Sequence, residues 1–533
     1  MLCKNGDLPF GRREQQGLVF TLDSRSTIFL REATGLRKRV SAFDAIAINI
    51  SYMSVGAALA LVGFTMLALP TVSGVNLVYG SAIAALLAVP QMVVYTMLSR
   101  RVSRTGGDYV WLSRSLGGFL GSTITFTGIT LETMPYLALI ALSAVFAIGS
   151  VGLSLGFSSM LGLALPGDIA GADQFSQFLL ASMMVIVLVT INIARPDLGF
   201  KLISIFVILG LIGISVGTAT LLLAGRAGVE NYVNRLEIPN MSFTSIEASY
   251  SGPTFNLNAT LMMMPYFALF TYPWFQAASS VGSELSGKAS KLNVPISLLV
   301  AFAFVTIPFA SMYYVGGYRF ITAALSNPTL VNNYSFNFWS LAMGVSSNIV
   351  QAFLIGLGWI LLTIAILAFG IITVSRYMLA QAFDRFLPAR LAYVSPKYSS
   401  PVIAHLLDLG VTIVLIELAA LFYGTISSLY GSAVSSMIYF AFVGIAAVIY
   451  AVKNEMKNSK VILVVAGLLQ TIVFLYLTYQ FLAYPRIWGG NMLAYGYVAA
   501  AFVSGTTIYM ISKRRRAKEG LSIDLAFKEI PPE

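Results

Sequence analysis

Glu132 stands in the run LETMPY (131–136), roughly midway along an apolar stretch that also holds Pro135. An acid at that depth is costly when charged and usually has a partner or a task. One task is proton carriage, since the group can take up a proton and release it. The alternative is a neutral Glu bonded to a neighbouring helix. His405 and Asp408 are spaced near one helical turn close to the end of another apolar stretch, and read as water-exposed structural polarity. Glu417 lies deeper there and reads equally as a lipid-headgroup or an oligomer contact. Binding chemistry is suggested by FALFTYPWFQAASSVGSEL (267–285), where Thr271, Tyr272, Pro273, Trp274 and Gln276 interrupt an apolar run. Pro273 has no backbone N–H and its ring collides with the preceding turn. In lipid the freed carbonyl needs protein or a water-filled cavity to satisfy it. The segment is either a proline kink packed against neighbours or a discontinuous helix. In the second case one half offers N–H groups and a positive dipole end to a carboxylate, and opened carbonyls receive an ammonium. The small-residue stretch Ser54–Val55–Gly56–Ala57–Ala58, within ISYMSVGAALAL (50–61), is its counterpart and favours the discontinuous reading.

Other chemistries find little support. The chain has one Cys, Cys3, and one His, His405, which argues against an internal disulfide, a His-rich metal site or a nucleophile with its base. No Gly-x-x-x-x-Gly-Lys-Ser/Thr loop is present, so ATP-driven pumping is excluded. A channel usually needs a pore-lining ring from an oligomer; the sequence leaves oligomeric state open. The sequons at Asn240 and Asn333 fall in expected outer loops, but so short a pattern is common by chance.

The elements that must position these residues follow from composition. Of 533 residues, 57% are hydrophobic and only 10% charged, and mean hydropathy is +0.81. A soluble chain carries about 25% charged residues, so the bilayer is the natural solvent. Twelve stretches are long and apolar enough to span it: 43–68, 73–98, 118–149, 176–194, 201–225, 256–283, 293–317, 347–384, 401–423, 428–451, 459–482 and 492–512. Four basic residues fall in one set of loops (Arg226, Arg235, Arg319 and Arg486), and the other 29 of 33 fall on the opposite side. By the positive-inside rule both termini are cytoplasmic. The net charge of +11 then reflects orientation and contact with anionic lipid, with no nucleic-acid partner. The polar first forty residues lack the pattern of a cleavable signal. Spans one to five and six to ten form two sets of odd number, the arithmetic of an inverted repeat. The expected division is a cytoplasmic segment (1–40), a first five-helix repeat (41–225), a second, inverted one (256–451), helices eleven and twelve (459–512) and a basic tail (513–533).

Four stretches resemble the amino acid–polyamine–organocation (APC) superfamily: SRRVSRTGGDYVWLSRSLGG (99–118), NIARPDLGFK (192–201), FTYPWFQAASSVGSELSGKASKLNVP (270–295) and SRYMLAQAFDRFLPARLAYVSPKYSSPVIA (375–404). The resemblance implies an all-α membrane protein of twelve transmembrane helices, the LeuT-like 5+5 inverted repeat plus two C-terminal helices. It implies a plasma-membrane symporter or exchanger for amino acids working by alternating access, with no cofactor and no enzymatic activity. A polyamine or other organic-amine or small-metabolite permease of the same fold is the alternative; a membrane-embedded enzyme or channel is the reading from another class. Carried over, the substrate contacts are Ser54, Val55, Gly56 and Ala57 in span one and Phe270, Tyr272, Trp274, Phe275 and Gln276 in span six. The glycine expected in span six falls on Pro273 or Trp274, and counting back from Glu284 favours Trp274, which implies a different and smaller pocket.

For the coupling ion, sodium wants hydroxyl and carbonyl oxygens between spans one and eight. The positions where relatives often carry a hydroxyl read Ala365 and Ala368, with Thr363 nearby at a different angle. A coupling lysine in span five is missing beyond Lys201 at its start. That leaves H⁺ as the favoured ion, with Glu132 its candidate carrier, and Na⁺ the less supported one.

Overall fold

The computed structural model describes residues 36–156, 174–286, 292–423, 426–454, 457–520 and 522–528. Most of the expected N-terminal segment, with Cys3, therefore lies outside the described residues, as do Lys288 and Lys291. The described chain is helical throughout, with only isolated β-bridges between helices. Among the described residues, eleven helices are long and apolar enough to cross a membrane: Ala42–Ala60, Leu77–Arg101, Gly118–Ser154, Gln174–Ala194, Pro196–Arg235, Asn293–Gly316, Ile349–Phe383, Val402–Phe422, Leu429–Asn454, Asn458–Ala483 and Met492–Lys518. We number them in chain order as spans one to twelve, keeping the sixth place for the segment Leu257–Glu284. That segment fails the length criterion because it is broken. It consists of Leu257–Met262, Met264–Phe270, a 3₁₀ run Tyr272–Ser280 and a last turn Gly282–Glu284. The join at Thr271 (φ −120°, ψ −76°) lies outside helical geometry. Pro273 sits at the start of the 3₁₀ run, where its missing N–H does least harm.

Span one breaks as well. Ala42–Tyr52 starts with a capping box, in which the Ser41 hydroxyl caps Asp44 N–H and the Asp44 carboxylate accepts from Ser41 N–H. The helix stops at Met53, and Ser54 adopts left-handed geometry (φ 54°) before Val55–Ala60 resumes it. An L-residue other than Gly is strained there. The other spans are largely continuous. Span five runs on to Arg235 through a kink at Gly225 (φ 59°). Span three opens as an α-helix, Gly118–Thr125, and then passes through a π-helical stretch, Phe126–Leu131, immediately before Glu132.

Spans one, five, seven and eight and the 3₁₀ run pack on one another, and spans two, ten and eleven close the far side. The crossing of spans five and eight is close: a Cβ on Gly213 would stand 2.8 Å from the Cα of Gly358. Such backbone approach through small residues is how helices associate where water supplies no driving force. Lipid-length helices stay apolar on the outside, as in span four, where Met183 and Val187 are exposed.

Candidate functional site

The two broken segments abut. Asn49, in the first half of span one, accepts the Ala278 N–H on Oδ1 (2.8 Å). Tyr266, before the break in segment six, donates its hydroxyl to the Ala58 carbonyl (2.8 Å). The main-chain groups loosened at the breaks are thus partly taken up by side chains from the other broken segment and from span two, where Gln91 donates to the Pro273 carbonyl (3.1 Å). Between them lies a cavity of about 30 Å³, lined by Ser54, Ala57, Ala58, Leu61, Tyr136, Leu139, Ile140, Tyr266, Phe270 and Tyr430. On that measure a single water needs roughly 10–15 Å³, so the space is closed down in this conformation. Its polar groups are hydroxyls. Tyr136 OH lies 2.5 Å from Ser54 Oγ, which reaches the Tyr52 carbonyl at 3.2 Å. Phe270 leans on Tyr430 with ring centres 5.1 Å apart.

Of the nine residues expected to contact substrate, Ser54, Ala57 and Phe270 line this cavity. Trp274 stands behind the wall, stacked on Tyr136 (5.8 Å) and edge-on to Tyr52 (5.3 Å). Val55 is buried in packing. Gly56 faces span eight: its carbonyl accepts from Trp339 Nε1 (3.0 Å), and a Cβ there would come within 2.8 Å of Leu362 Cβ. Tyr272 points toward span two, its hydroxyl 2.5 Å from Ser81 Oγ. Phe275 meets Tyr95 edge-on. Gln276 is buried, with Oε1 lacking a partner among the described residues. Tyr136, Tyr266 and Tyr430 were not singled out from the sequence. Tyr266 was within reach of it, four residues before Phe270 and so on the same helical face; Tyr430 sits in a Gly- and Ser-diluted stretch that carried no signal.

The coupling candidates separate. Glu132 is buried one turn before Tyr136 and accepts from Ser436 Oγ of span ten (2.9 Å). Thr363 is buried too, but its hydroxyl bonds the Trp359 carbonyl of its own helix (3.0 Å). His405 and Asp408 depart from expectation: both are fully buried. The helix begins at Val402 and its inner face packs on spans three, four and eight, so the end of the helix is not the edge of the protein.

A second constellation gathers at one end of the bundle, from the stretches 99–118, 270–295 and 375–404. Gly106 N–H donates to the Ser280 carbonyl (2.9 Å), and Ser103 Oγ to that of Gly282 (2.9 Å). Gly107 has φ 39°, and a Cβ on it would stand 2.4 Å from the Ser279 carbonyl oxygen, so no other residue fits. The Asp108 carboxylate accepts from Tyr95 (2.5 Å) and from Tyr377 of span eight. Arg114 holds Asp384 through its two terminal guanidinium nitrogens, Nη1 and Nη2, with Tyr109 donating to the same acid (2.7 Å). Glu284, at the exit of segment six, is buried against Arg376 (2.7 and 3.3 Å) with Arg39 at 3.7 Å. Among the described residues no group of acids, His and Cys could hold a metal ion.

The model of the family described as amino acid permease matches residues 40–503. The chain belongs to that family, within the APC superfamily. A search of curated proteins finds no match. The match covers both constellations except Arg39, and with eleven membrane-length helices among the described residues it makes the protein a multi-pass membrane transporter. The permease family takes small-molecule substrates and points away from an enzyme.

Proposed function

We propose that this permease moves amino acids by alternating access, with the substrate held between the two broken segments. One observation carries the reading: segments one and six are interrupted at Ser54 and Thr271 and meet across a shared cavity. Irregular backbone is tolerated at membrane depth where it is buried in protein or lines a cavity, and transporters place their sites there. The architecture we propose is the 5+5 inverted repeat, spans one to five and six to ten, followed by helices eleven and twelve. Both termini are cytoplasmic and the plasma membrane is its place, in keeping with the charge asymmetry of the loops.

Among the described residues, no carboxylate lines the cavity. A polycationic amine would find no counter-charge there, which favours a zwitterion whose head meets loosened main chain and hydroxyls and whose apolar side chain rests on Tyr266, Phe270 and Tyr430. The walls must part to admit it. Proton coupling is the favoured energy source, with Glu132 one turn from the cavity wall. The test is uptake of a labelled mixture of the twenty amino acids into liposomes holding the purified permease, with and without a pH gradient. Uptake that saturates and is stimulated by the gradient supports the reading; gradient-independent flux that never saturates sinks it in favour of a channel.

A further inference from the structure

The transport reading leaves one polar stripe without a task. His405, Asp408 and Thr412 follow helical spacing along Val402–Glu417 and are all fully buried. The opposite side of the same helix faces lipid: Leu406, Leu407 and Val414 are 54%, 46% and 53% exposed. Thr412 donates to Asp408 Oδ1 (3.2 Å). Among the described residues, Asp408 Oδ2 and both ring nitrogens of His405 have no hydrogen-bond partner. Buried polar atoms are nearly always paired, and an orphan costs free energy that an apolar residue of similar size would not. Packing therefore does not explain this pair.

The ionisable groups around the stripe come from every side but one. Span three supplies Glu132, bonded to Ser436, and Tyr136 beyond it. Tyr52 of span one lies in the electrostatic field of both Glu132 and Asp408, and so does Tyr497 of span twelve. Span eight supplies Arg376, which acts on His405 while bound to Glu284, and Tyr377, bonded to Asp108. Span four carries no ionisable side chain, and Arg390, in the turn before span nine, is exposed. Two buried acids thus lie on different helices of this region, and the His405 ring lies one turn nearer the end at Pro401.

The geometry assigns Asp408 as a second proton-binding site of the permease, with His405 as its relay toward the cytoplasmic end; this rests on the transport reading above. A proton adds to a lone pair of Asp408 Oδ2 and leaves a neutral acid. It departs, once the side chains turn or a water bridges them, to an unprotonated ring nitrogen of His405, giving an imidazolium, which hands it to water when that end opens. No other bond changes. On the other side, Glu132 precedes Tyr136 by one turn, and Tyr136 closes on Ser54, so the charge state of this cluster reaches the cavity wall through one short helix segment.

Liposomes holding the permease test this with the labelled mixture of the twenty amino acids as probe. The readout is the ratio of accumulation driven by an inward proton gradient to exchange at equal pH. A fold defect lowers both together and leaves the ratio in place. Asp408→Asn is expected to lower the ratio about tenfold or more, and His405→Gln by a smaller factor in the same direction. A wild-type ratio in Asp408→Asn overturns the assignment while leaving transport intact. Wild-type exchange with no gradient-driven accumulation overturns it too. Absence of both activities in the wild type is a failure of the transport reading itself. Should Asp408→Asn not fold, the wild type is treated with dicyclohexylcarbodiimide, which modifies protonated buried carboxyls, and mapped by mass spectrometry. Modification of Asp408 that grows as the pH is lowered supports the assignment; modification of Glu132 alone overturns it.

Discussion

Segments one and six build two regions of opposite character. At one end of the bundle, charges are buried in pairs: Arg376 with Glu284 and Arg114 with Asp384, flanked by Gly106, Gly107 and Gly282, where a Cβ would press on neighbouring atoms. At the cavity the wall is Tyr, Phe, Leu, Ile and Ala, with hydroxyls as its polar groups. The first region gains from specific partners only while water is excluded, since opening it returns each charge to solvent and offsets much of the loss. The second is held by packing and a few exchangeable hydroxyl bonds, each worth about 1 kcal/mol. A gate suits the former and a site that must release its cargo suits the latter.

The contrast breaks most visibly at the buried ion pair. Arg376→Met leaves Glu284 with the longer Arg39 contact (3.7 Å) in place of a close partner and should cost up to about 3–5 kcal/mol, read as a fall in the thermal midpoint of detergent-purified protein. Adding Glu284→Gln should restore much of it. If Arg376→Met is no worse than Tyr430→Phe, the two regions do not differ as described. Next in size, Gly107→Ala forces a Cβ against Ser279 and should cost about 1–3 kcal/mol. Gly117→Ala shares the positive φ but meets open space, and should cost about 1 kcal/mol. Equal losses would remove the close approach from the explanation. At the cavity, Tyr266→Phe leaves the Ala58 carbonyl without its donor, costing about 1 kcal/mol, while the concentration for half-maximal uptake shifts more than the midpoint does.

The smallest effect lies at the C-terminal segment Ile523–Phe527, which docks on this end through Arg114 and the Ala526 carbonyl (3.2 Å). Asp524 accepts from Tyr509 (2.8 Å) and Lys513 (3.0 Å). The Tyr509 hydrogen bond first, then that of Lys513, holds its carboxyl below the ordinary carboxylate range. Its contribution is therefore present above the unfolded value near 3.9 and is lost as pH falls through the folded one. Hydrogen exchange in 522–528 should stay slow from neutral pH to about pH 5 and speed up only in stronger acid. A release near pH 6 would point to a different anchor.

Much of the fold was legible because lipid imposes simple rules. Span lengths and loop charges follow from thickness and orientation, and eleven of the twelve expected stretches appear as long helices. The twelfth was readable for the opposite reason, since Pro273 amid hydrogen-bonding residues marks a place where a continuous helix fails. The cavity lining was only partly legible. Composition identifies a broken stretch, but which way each side chain turns depends on the 3₁₀ geometry after Thr271. That geometry sends Tyr272 toward span two and puts Trp274 behind Tyr136. The burial of His405 and Asp408 could not be read from position along the span, because it depends on spans three and eight packing over that helix end.

The exit of segment six is clasped on two sides by backbone. Leu285 bridges to Val40 and Val281 to Thr105, and Arg39 and Val40 both donate to the Glu284 carbonyl (2.9 Å each). Three stretches far apart in sequence are therefore one mechanical part, like three ropes tied at a single knot. A pull on any one of them is delivered to the other two.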